Sequence, residues 1–501
     1  LERIYVAIAT GMAVWAYSAR TRGNEMSVSY LYAARSLVEH GRLDDVNGTP
    51  LTLFPPTYSF VLAAVHELGI GWLASGRLVN VLAFAAATAV AATWVRRLSG
   101  SSFIGLVGGV AACVLPAFVW TAYLAPETLF IALVVGAAYA LVLGIERGSG
   151  WMFVVAGVLL GIGVTARYAG IFFVPPALLL GWASDGGSWP HRLRNRVAPI
   201  AAGVIATTAP LLVRNLAIDS SAPLGPRHPS AKTVGTVLHE GAIGLGRVVA
   251  SVPTVPWMLG LALLGALAVA SLVAWVTAWR PVSRTRRIQA LVAPSFAVCS
   301  FLGMAYSGST TSLDTLRTRM LVPTGVFALV AGASVVGFAL EQAATRRLGR
   351  STDVVGARVA FVALMFAAGA LPVIATGGGR TARPGGDNAF GQERLRSAVL
   401  LAVPHDPHTS VFSNDYWVAA LVNDRPVDSA PIARYPGSNA APADPFGPIR
   451  DAAASGPTVV VWRDGFLTDF MEPFSVLVSR CDLVPIDRLA DGTVYRVERC
   501  S

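Results

Sequence analysis

The run Pro126-Glu127-Thr128-Leu129-Phe130-Ile131-Ala132-Leu133-Val134-Val135-Gly136-Ala137-Ala138-Tyr139-Ala140-Leu141-Val142-Leu143-Gly144-Ile145-Glu146-Arg147 carries no charge between Glu127 and Glu146. A helix needs about 20 apolar residues to cross the roughly 30 Å hydrocarbon core of a bilayer. The run has that length and composition, and an arginine closes it. Proline and an acid open it, which suits the positive N-terminal end of a helix.

The same pattern recurs on both sides. Apolar runs lie at 4–19, 76–95, 102–121, 151–166, 169–183, 197–216, 254–279, 290–306, 320–340 and 357–376. With 127–145 they make about eleven spans, the shorter ones extended at their ends or set obliquely. Ile4–Ala19 is flanked by Glu2 and Arg3, lacks a small-residue cleavage site, and is read as a retained first helix. Of 501 residues, 54% are hydrophobic and 14% charged, and the mean hydropathy is +0.57. A soluble domain carries roughly 25% charged residues, so a soluble globular enzyme is excluded. No internal repeat stands out.

The net charge of +10 comes almost wholly from arginine, since Lys232 is the only lysine. The arginines do not form a nucleic-acid patch; they alternate between loops. With the N-terminus inside, one set of loops holds Arg96, Arg97, Arg147, Arg192, Arg194, Arg196, Arg280, Arg284, Arg286, Arg287, Arg346, Arg347, Arg350 and Arg358. By the positive-inside rule these loops are cytoplasmic. The outer side then receives segment 20–75, the turns near 122–126 and Arg167, loops 217–253 and 307–319, and everything after about 377. The chain is expected in the plasma (inner) membrane with its C-terminus outside.

The outer segments hold the chemistry. Ser29–His40 reads as an amphipathic interfacial helix. Phe54-Pro55-Pro56 ends one segment and starts another, Thr57–Leu68, read as interfacial or re-entrant. Arg317 and Arg319 sit at the outer end of a helix, against the positive-inside trend. A guanidinium fork matches phosphate oxygens; the plainer alternative is a snorkelling anchor. Glu127 either answers its helix dipole or faces a cavity. Arg167-Tyr168 either marks a turn or lines the same cavity. Asp44-Asp45 reads as a polar turn or a substrate contact. His239-Glu240 has no companion ligand, so no metal site is expected. Glu25, just beyond the first span, is either a solvated loop acid or a general base.

Composition shifts after Thr376, dividing the chain into a membrane module, 1–376, and an outer α/β domain, 377–501. Strand-like runs lie at Ser410–Phe412, Thr458–Trp462 and Leu483–Ile486, with an Asp491-Gly492 hairpin turn leading into Thr493–Val497. Asp415–Val422 and Ile449–Ala454 read as helical. Cys481 and Cys500 are expected to pair in this outer domain. The fold class expected is thus an all-α polytopic membrane protein with a small C-terminal extracytoplasmic α/β domain.

Four stretches carry a resemblance: Tyr30-Leu31-Tyr32-Ala33-Ala34-Arg35-Ser36-Leu37 followed by Gly41, Gly48-Thr49-Pro50 and Phe54-Pro55-Pro56-Thr57-Tyr58; Pro126-Glu127-Thr128-Leu129-Phe130; Ala166-Arg167-Tyr168-Ala169-Gly170; and Arg319-Met320-Leu321-Val322-Pro323. In the tail, Val411-Phe412-Ser413-Asn414-Asp415 joins them. In this order the chain resembles the GT-C superfamily of membrane glycosyltransferases, of the protein O-mannosyltransferase and aminoarabinose-transferase kind. The resemblance implies a polyprenyl-phosphate sugar donor, an envelope glycan, lipid or protein acceptor, inversion at the anomeric carbon and no cofactor. It implies a carboxylate base in the first outer loop, four residues before Tyr30, where this chain has Met26. The neighbouring Glu25 is taken as the base. Asp44, Asp45, Tyr58, Glu127, Arg167, Tyr168, Arg317 and Arg319 are taken as substrate-binding. The competing classes are a transporter or flippase of lipid-linked saccharides and a non-catalytic envelope scaffold.

Overall fold

The structure, a computed structural model, describes residues 25–219, 229–230, 232–249, 256–279, 282–311, 318–347, 391–435, 441–466 and 470–501, with Gly23, Pro223, Leu224 and Leu316 between them. The expected spans 4–19 and 357–376, and the division at 376/377, lie outside these residues.

The described helices are, in chain order, α1 (Glu25–His40), α2 (Thr57–His66), α3 (Trp72–Ser99), α4 (Ser102–Ala117), α5 (Glu127–Arg147), α6 (Gly150–Ala166), α7 (Val174–Ala183), α8 (Trp189–Ile218), α9 (Val234–Val249), α10 (Trp257–Thr277), α11 (Arg284–Thr310) and α12 (Thr318–Arg347). Every expected span between 76 and 340 finds a helix at its place. Six helices, α3, α5, α8, α10, α11 and α12, contain a stretch long and apolar enough to cross a membrane. The shorter α4 and α7 are extended by 3-10 turns, Phe118–Ala122 after α4 and Tyr168–Phe173 before α7. A 3-10 turn rises about 2 Å per residue, so α4 with its extension reaches roughly 34 Å, enough to cross the core.

Consecutive helices pack as antiparallel neighbours, α3 with α4, α5 with α6 and α11 with α12, while α6 packs parallel to α8, with Gly157 at Ile200 and Gly161 at Val204 and Thr207. The α6–α8 crossing depends on glycine. A Cβ on Gly157 would collide with the Ile200 carbonyl, and one on Gly203 with the backbone at Val154 and Val158. Small residues let helix backbones approach where lipid supplies no hydrophobic drive between them. At the centre Phe130, Phe173, Phe296 and Phe327 meet ring to ring, with centroids 5.2–6.0 Å apart.

The two ends of α5 meet different partners. At its C-terminal end Arg97 donates to both oxygens of Glu146 at 2.5 and 2.6 Å, and Gln289 adds a third bond at 3.3 Å. Arg286 beside them donates to the Leu98 carbonyl at 3.0 Å. At its N-terminal end, roughly 30 Å away along the helix, Glu127 meets Arg167 and Arg319. The sequence assigns these two groups to opposite membrane faces, and the structure keeps them at opposite ends.

The C-terminal unit is an α/β layer. Its sheet has the order β2-β1-β3-β5-β4, from β1 (Ser410–Ser413), β2 (Asp428–Ser429), β3 (Thr458–Arg463), β4 (Cys481–Leu489) and β5 (Gly492–Cys500). Strands β1, β2 and β3 are parallel, and β4–β5 is an antiparallel hairpin that adds to β3. The hairpin turns at Ala490-Asp491, one residue before the expected Asp491-Gly492. Cys481 and Cys500 stand opposite each other in its ladder and are disulfide-bonded. Helix α13 (Tyr416–Asn423) packs on α1.

That contact changes the reading of α1. An interfacial helix should bury one face, yet Ser27 to Ala34 are all buried. Membrane helices cover one side and the C-terminal unit the other, so the helix behaves as a core element. It also begins earlier than expected. Regular helix runs from Glu25, four residues before the expected start at Ser29.

Candidate functional site

Glu127 is the centre of the site. Its helix starts immediately after Pro126, so the carboxylate sits in the first turn, where the dipole favours it. The side chain is 1% exposed, with Oε1 3.5 Å from Arg167 Nη1 and 3.3 Å from Arg319 Nε. Neither carboxylate oxygen accepts a hydrogen bond from the described residues. The ion contacts are therefore loose, and the carboxylate keeps unused acceptor capacity. Among the described residues, two guanidiniums face one carboxylate, which leaves one positive charge uncompensated in a mostly buried place.

Each charge arrives from a different element. Arg167 is the C-cap of α6, extended at φ −148° before the 3-10 turn. Arg319 lies in the first turn of α12, three residues from Leu316, whose backbone N–H donates to Glu240 at 3.1 Å. Lys232 pairs with that same carboxylate at 3.1 Å. Arg317 lies outside the described residues.

Helix α1 closes the site. Met26 Sδ is 3.4 Å from Arg319 Nη2. Tyr30, one turn on, packs edge-on against Tyr58 at 5.5 Å and beside Phe54 at 5.6 Å. Burial, aided by the nearby Glu127, pushes the Tyr30 hydroxyl well above the ordinary phenol range. Ser59 Oγ donates to the Tyr30 carbonyl at 2.9 Å and ties α2 to α1. Glu25 is the first residue of α1, one position from Met26.

Tyr168, Asp44 and Asp45 act beside this cluster. The Tyr168 hydroxyl donates to the Thr52 carbonyl at 2.8 Å and accepts from Asn215 at 3.1 Å. Asp44 accepts from Ser36 at 3.3 Å and pairs with Arg42 at 3.2 Å. Asp45 accepts from the Val46 N–H at 2.8 Å, and its backbone closes the turn with Thr49 and Gly48. Burial raises the Asp45 carboxyl above the usual range, against hydrogen bonds from Val46 and Ser29. Both acids are engaged within the first loop.

Sequence reasoning missed Arg214 and Asn215. They sit at the end of α8, inside what reads as an apolar span. Arg214 donates to the Leu51 carbonyl at 2.9 Å and Asn215 to Tyr168, so both hold the first loop on the membrane helices. An arginine against the positive-inside trend was the available signal.

A buried charge cluster is costly inside a membrane protein, which makes this one the candidate functional site. The chain is a multi-pass membrane protein: a helical bundle with such a cluster at one end, roofed by a small α/β unit. Residues 54–213 match the family described as dolichyl-phosphate-mannose-protein mannosyltransferase. A polyprenol-phosphate-mannose–protein mannosyltransferase of Mycobacterium tuberculosis is 28% identical over 244 residues, 40% of this chain and 44% of the relative. The chain thus spans less than half the length of that curated relative. Among solved structures, apo ArnT from Cupriavidus metallidurans superposes with a TM-score of 0.62 at 16% identity, covering 98% of this chain and 97% of that one. ArnT bound to undecaprenyl phosphate gives 0.57 at 14% identity, over 98% and 97% of the two chains. The Archaeoglobus fulgidus oligosaccharyltransferase gives 0.54 at 12% identity, over 91% of this chain and 67% of that one. At these identities the structural likeness establishes the fold.

Proposed function

We propose that this protein transfers a sugar from a polyprenyl-phosphate carrier to a cell-envelope acceptor at the outer face of the membrane, with inversion. The observation that carries the reading is Glu127, buried between Arg167 and Arg319 with both oxygens free of hydrogen bonds among the described residues. An arginine excess of one charge suits a phosphate that gains negative charge as it leaves. Donors aimed at charge that develops in the transition state are the strongest form of electrostatic catalysis. The family match and the curated relative, both named for polyprenyl- or dolichyl-phosphate mannose, support the donor class. The ArnT structure named for bound undecaprenyl phosphate supports the carrier.

In this reading the acceptor hydroxyl oxygen attacks the anomeric carbon, and the bond from that carbon to the phosphate oxygen breaks. The hydroxyl proton goes to a carboxylate, assigned to Glu25. The electron pair stays on the departing polyprenyl phosphate, where Arg319, Arg317 and Arg167 meet it. Tyr58, Tyr168, Asp44 and Asp45 shape the surroundings of the sugar. The module at 1–376 would cross the plasma membrane about eleven times, with the domain at 377–501 outside.

Met26 supports a second reading. A thioether is only a weak acceptor, and it occupies the position where the resemblance places an aspartate. A protein that binds the lipid-linked sugar without transferring it would tolerate that residue. The test is incubation of purified protein with labelled polyprenyl-phosphate sugars and extracted envelope acceptors. Acceptor-dependent release of carrier phosphate supports transfer; tight donor binding with no release supports the scaffold.

A further inference from the structure

Besides the apolar packing of α13 on α1, the stretch 421–427 of the C-terminal unit holds the first outer segment through polar contacts and one close approach. Arg35 Nη1 donates to the Leu421 carbonyl at 3.1 Å, and Nη2 pairs with Asp424 at 2.9 Å. Arg35 also reaches Glu39 of its own helix at 3.9 Å. Three residues on, the Val427 N–H donates to the Val46 carbonyl at 2.9 Å. Between them Pro426 fills the space over Gly48, where an added Cβ would lie 2.8 Å from Pro426 Cγ. Gly48 itself has φ +76°, a conformation that glycine adopts without strain. Asp424 is the one non-glycine residue with positive φ among the described residues, at 52°. That backbone costs free energy and persists only when surrounding contacts over-determine it. Arg425 anchors the stretch from behind through the carbonyls of Pro404, Asp406 and Thr409.

Arg35 and Met26 belong to the same helix. Nine residues separate them, or roughly 14 Å along a rigid rod. One end of α1 therefore lies against Arg319 and the other is held by the C-terminal unit. A lone, partly exposed ion pair is worth little. Here the pair is one of four contacts from a single stretch that leaves α13 through its left-handed C-cap, Asp424.

We propose that segment 421–427 is a positioning brace, and that Arg35 and Asp424 are positioning residues that hold the N-terminal half of α1 in register with Arg319. The proposal rests on the transfer reading for its catalytic consequence, since α1 opens with Glu25. A small displacement of a reacting group costs a large factor in rate. The donor phosphate, held from α6 and α12, should feel little of it.

The experiment uses the full-length purified protein with Arg35→Ala, Asp424→Asn and the conservative Arg35→Lys. Asparagine tolerates the left-handed backbone, so Asp424→Asn removes charge without new strain. Backbone hydrogen exchange is followed over 25–34, and turnover is measured with an undecaprenyl-phosphate sugar. Arg35→Ala and Asp424→Asn should speed exchange over 25–34 by about fivefold or more. They should lower kcat by about tenfold while donor KM moves less than about twofold. Arg35→Lys should recover most of kcat. Unchanged exchange over 25–34, or faster exchange with unchanged kcat, overturns the brace. If the wild type transfers no sugar from any carrier, the transfer reading fails, and the exchange result alone decides the brace.

Discussion

The sulfur of Met26 lies 3.4 Å from Nη2 of Arg319. The first turn of α1 thus faces the arginine cluster with a residue that cannot take a proton. An aspartate here would pair with Arg319 and stand within reach of the acceptor. In a Glu25→Gln background, Met26→Asp should therefore recover turnover by about tenfold or more, a fraction of what general-base catalysis supplies. Steady-state rates of the single and double variants check this. No recovery in a folded, donor-binding double variant would remove the base from this end of α1.

Arg319→Ala should weaken donor binding by about tenfold or more, the loss of a buried charge-assisted hydrogen bond worth about 1.5–3 kcal/mol. It also removes the uncompensated positive charge and leaves Glu127 and Arg167 as a balanced pair, so thermal stability should hold or rise. Adding Glu127→Gln should lower stability without restoring affinity, because Arg167 is then a buried charge without its carboxylate. Donor titrations and thermal denaturation of both variants separate the two effects. Unchanged donor affinity would reduce Arg319 to an anchor.

Asp45 gives a pH dependence whose sign is fixed. Its folded-state carboxyl is raised by burial, so the folded protein holds the proton more tightly than the unfolded chain. Its favourable contribution is complete below the ordinary aspartate value, about 3.9, and is lost as pH rises toward the raised value. Asp45→Asn keeps the oxygen that accepts from Val46 and cannot ionise. Its melting temperature should exceed the wild type's by a few degrees at pH 7, with the gap closing toward pH 4. A lower melting temperature at pH 7 would show that the ionised form is wanted in the loop.

The Cys481–Cys500 bridge closes a loop of 19 residues in sequence separation. In the loop-entropy model that is worth about 3 kcal/mol. Cys481→Ser with Cys500→Ser should lower the stability of the C-terminal unit by this order, and mass spectrometry of unreduced wild type should find no free thiol at either position.

Much of this was legible in the chain. The membrane helices from α3 to α12, except α9, which lies in the expected loop 217–253, could be placed because apolar runs bounded by arginine leave a bilayer-sized signal. Glu127, Arg167 and Arg319 stood out because charge in apolar sequence is costly, and the structure brings all three together. Four of the five described tail strands, all but β2, followed from apolar runs and turn residues, and the cysteine pair from its expected outer compartment. Arg214 was hidden inside an apparent span. Asp44 and Asp45, chosen for their charge, turn their bonds to Ser36, Val46 and the loop around them, which local sequence cannot separate from substrate contact. The burial of α1 on both sides was illegible, because Arg35 and Asp424 lie almost the whole chain apart and only folding brings the second cover.

Acceptor-dependent release of carrier phosphate, measured side by side for wild type and Glu25→Gln at matched donor occupancy, tests the central claim most directly. The account predicts release by the wild type with a polyprenyl-phosphate sugar, and a rate about 10²–10⁴-fold lower for Glu25→Gln with donor binding nearly intact. Equal rates for the two proteins, or no acceptor-dependent release from any carrier that the wild type binds, would contradict it.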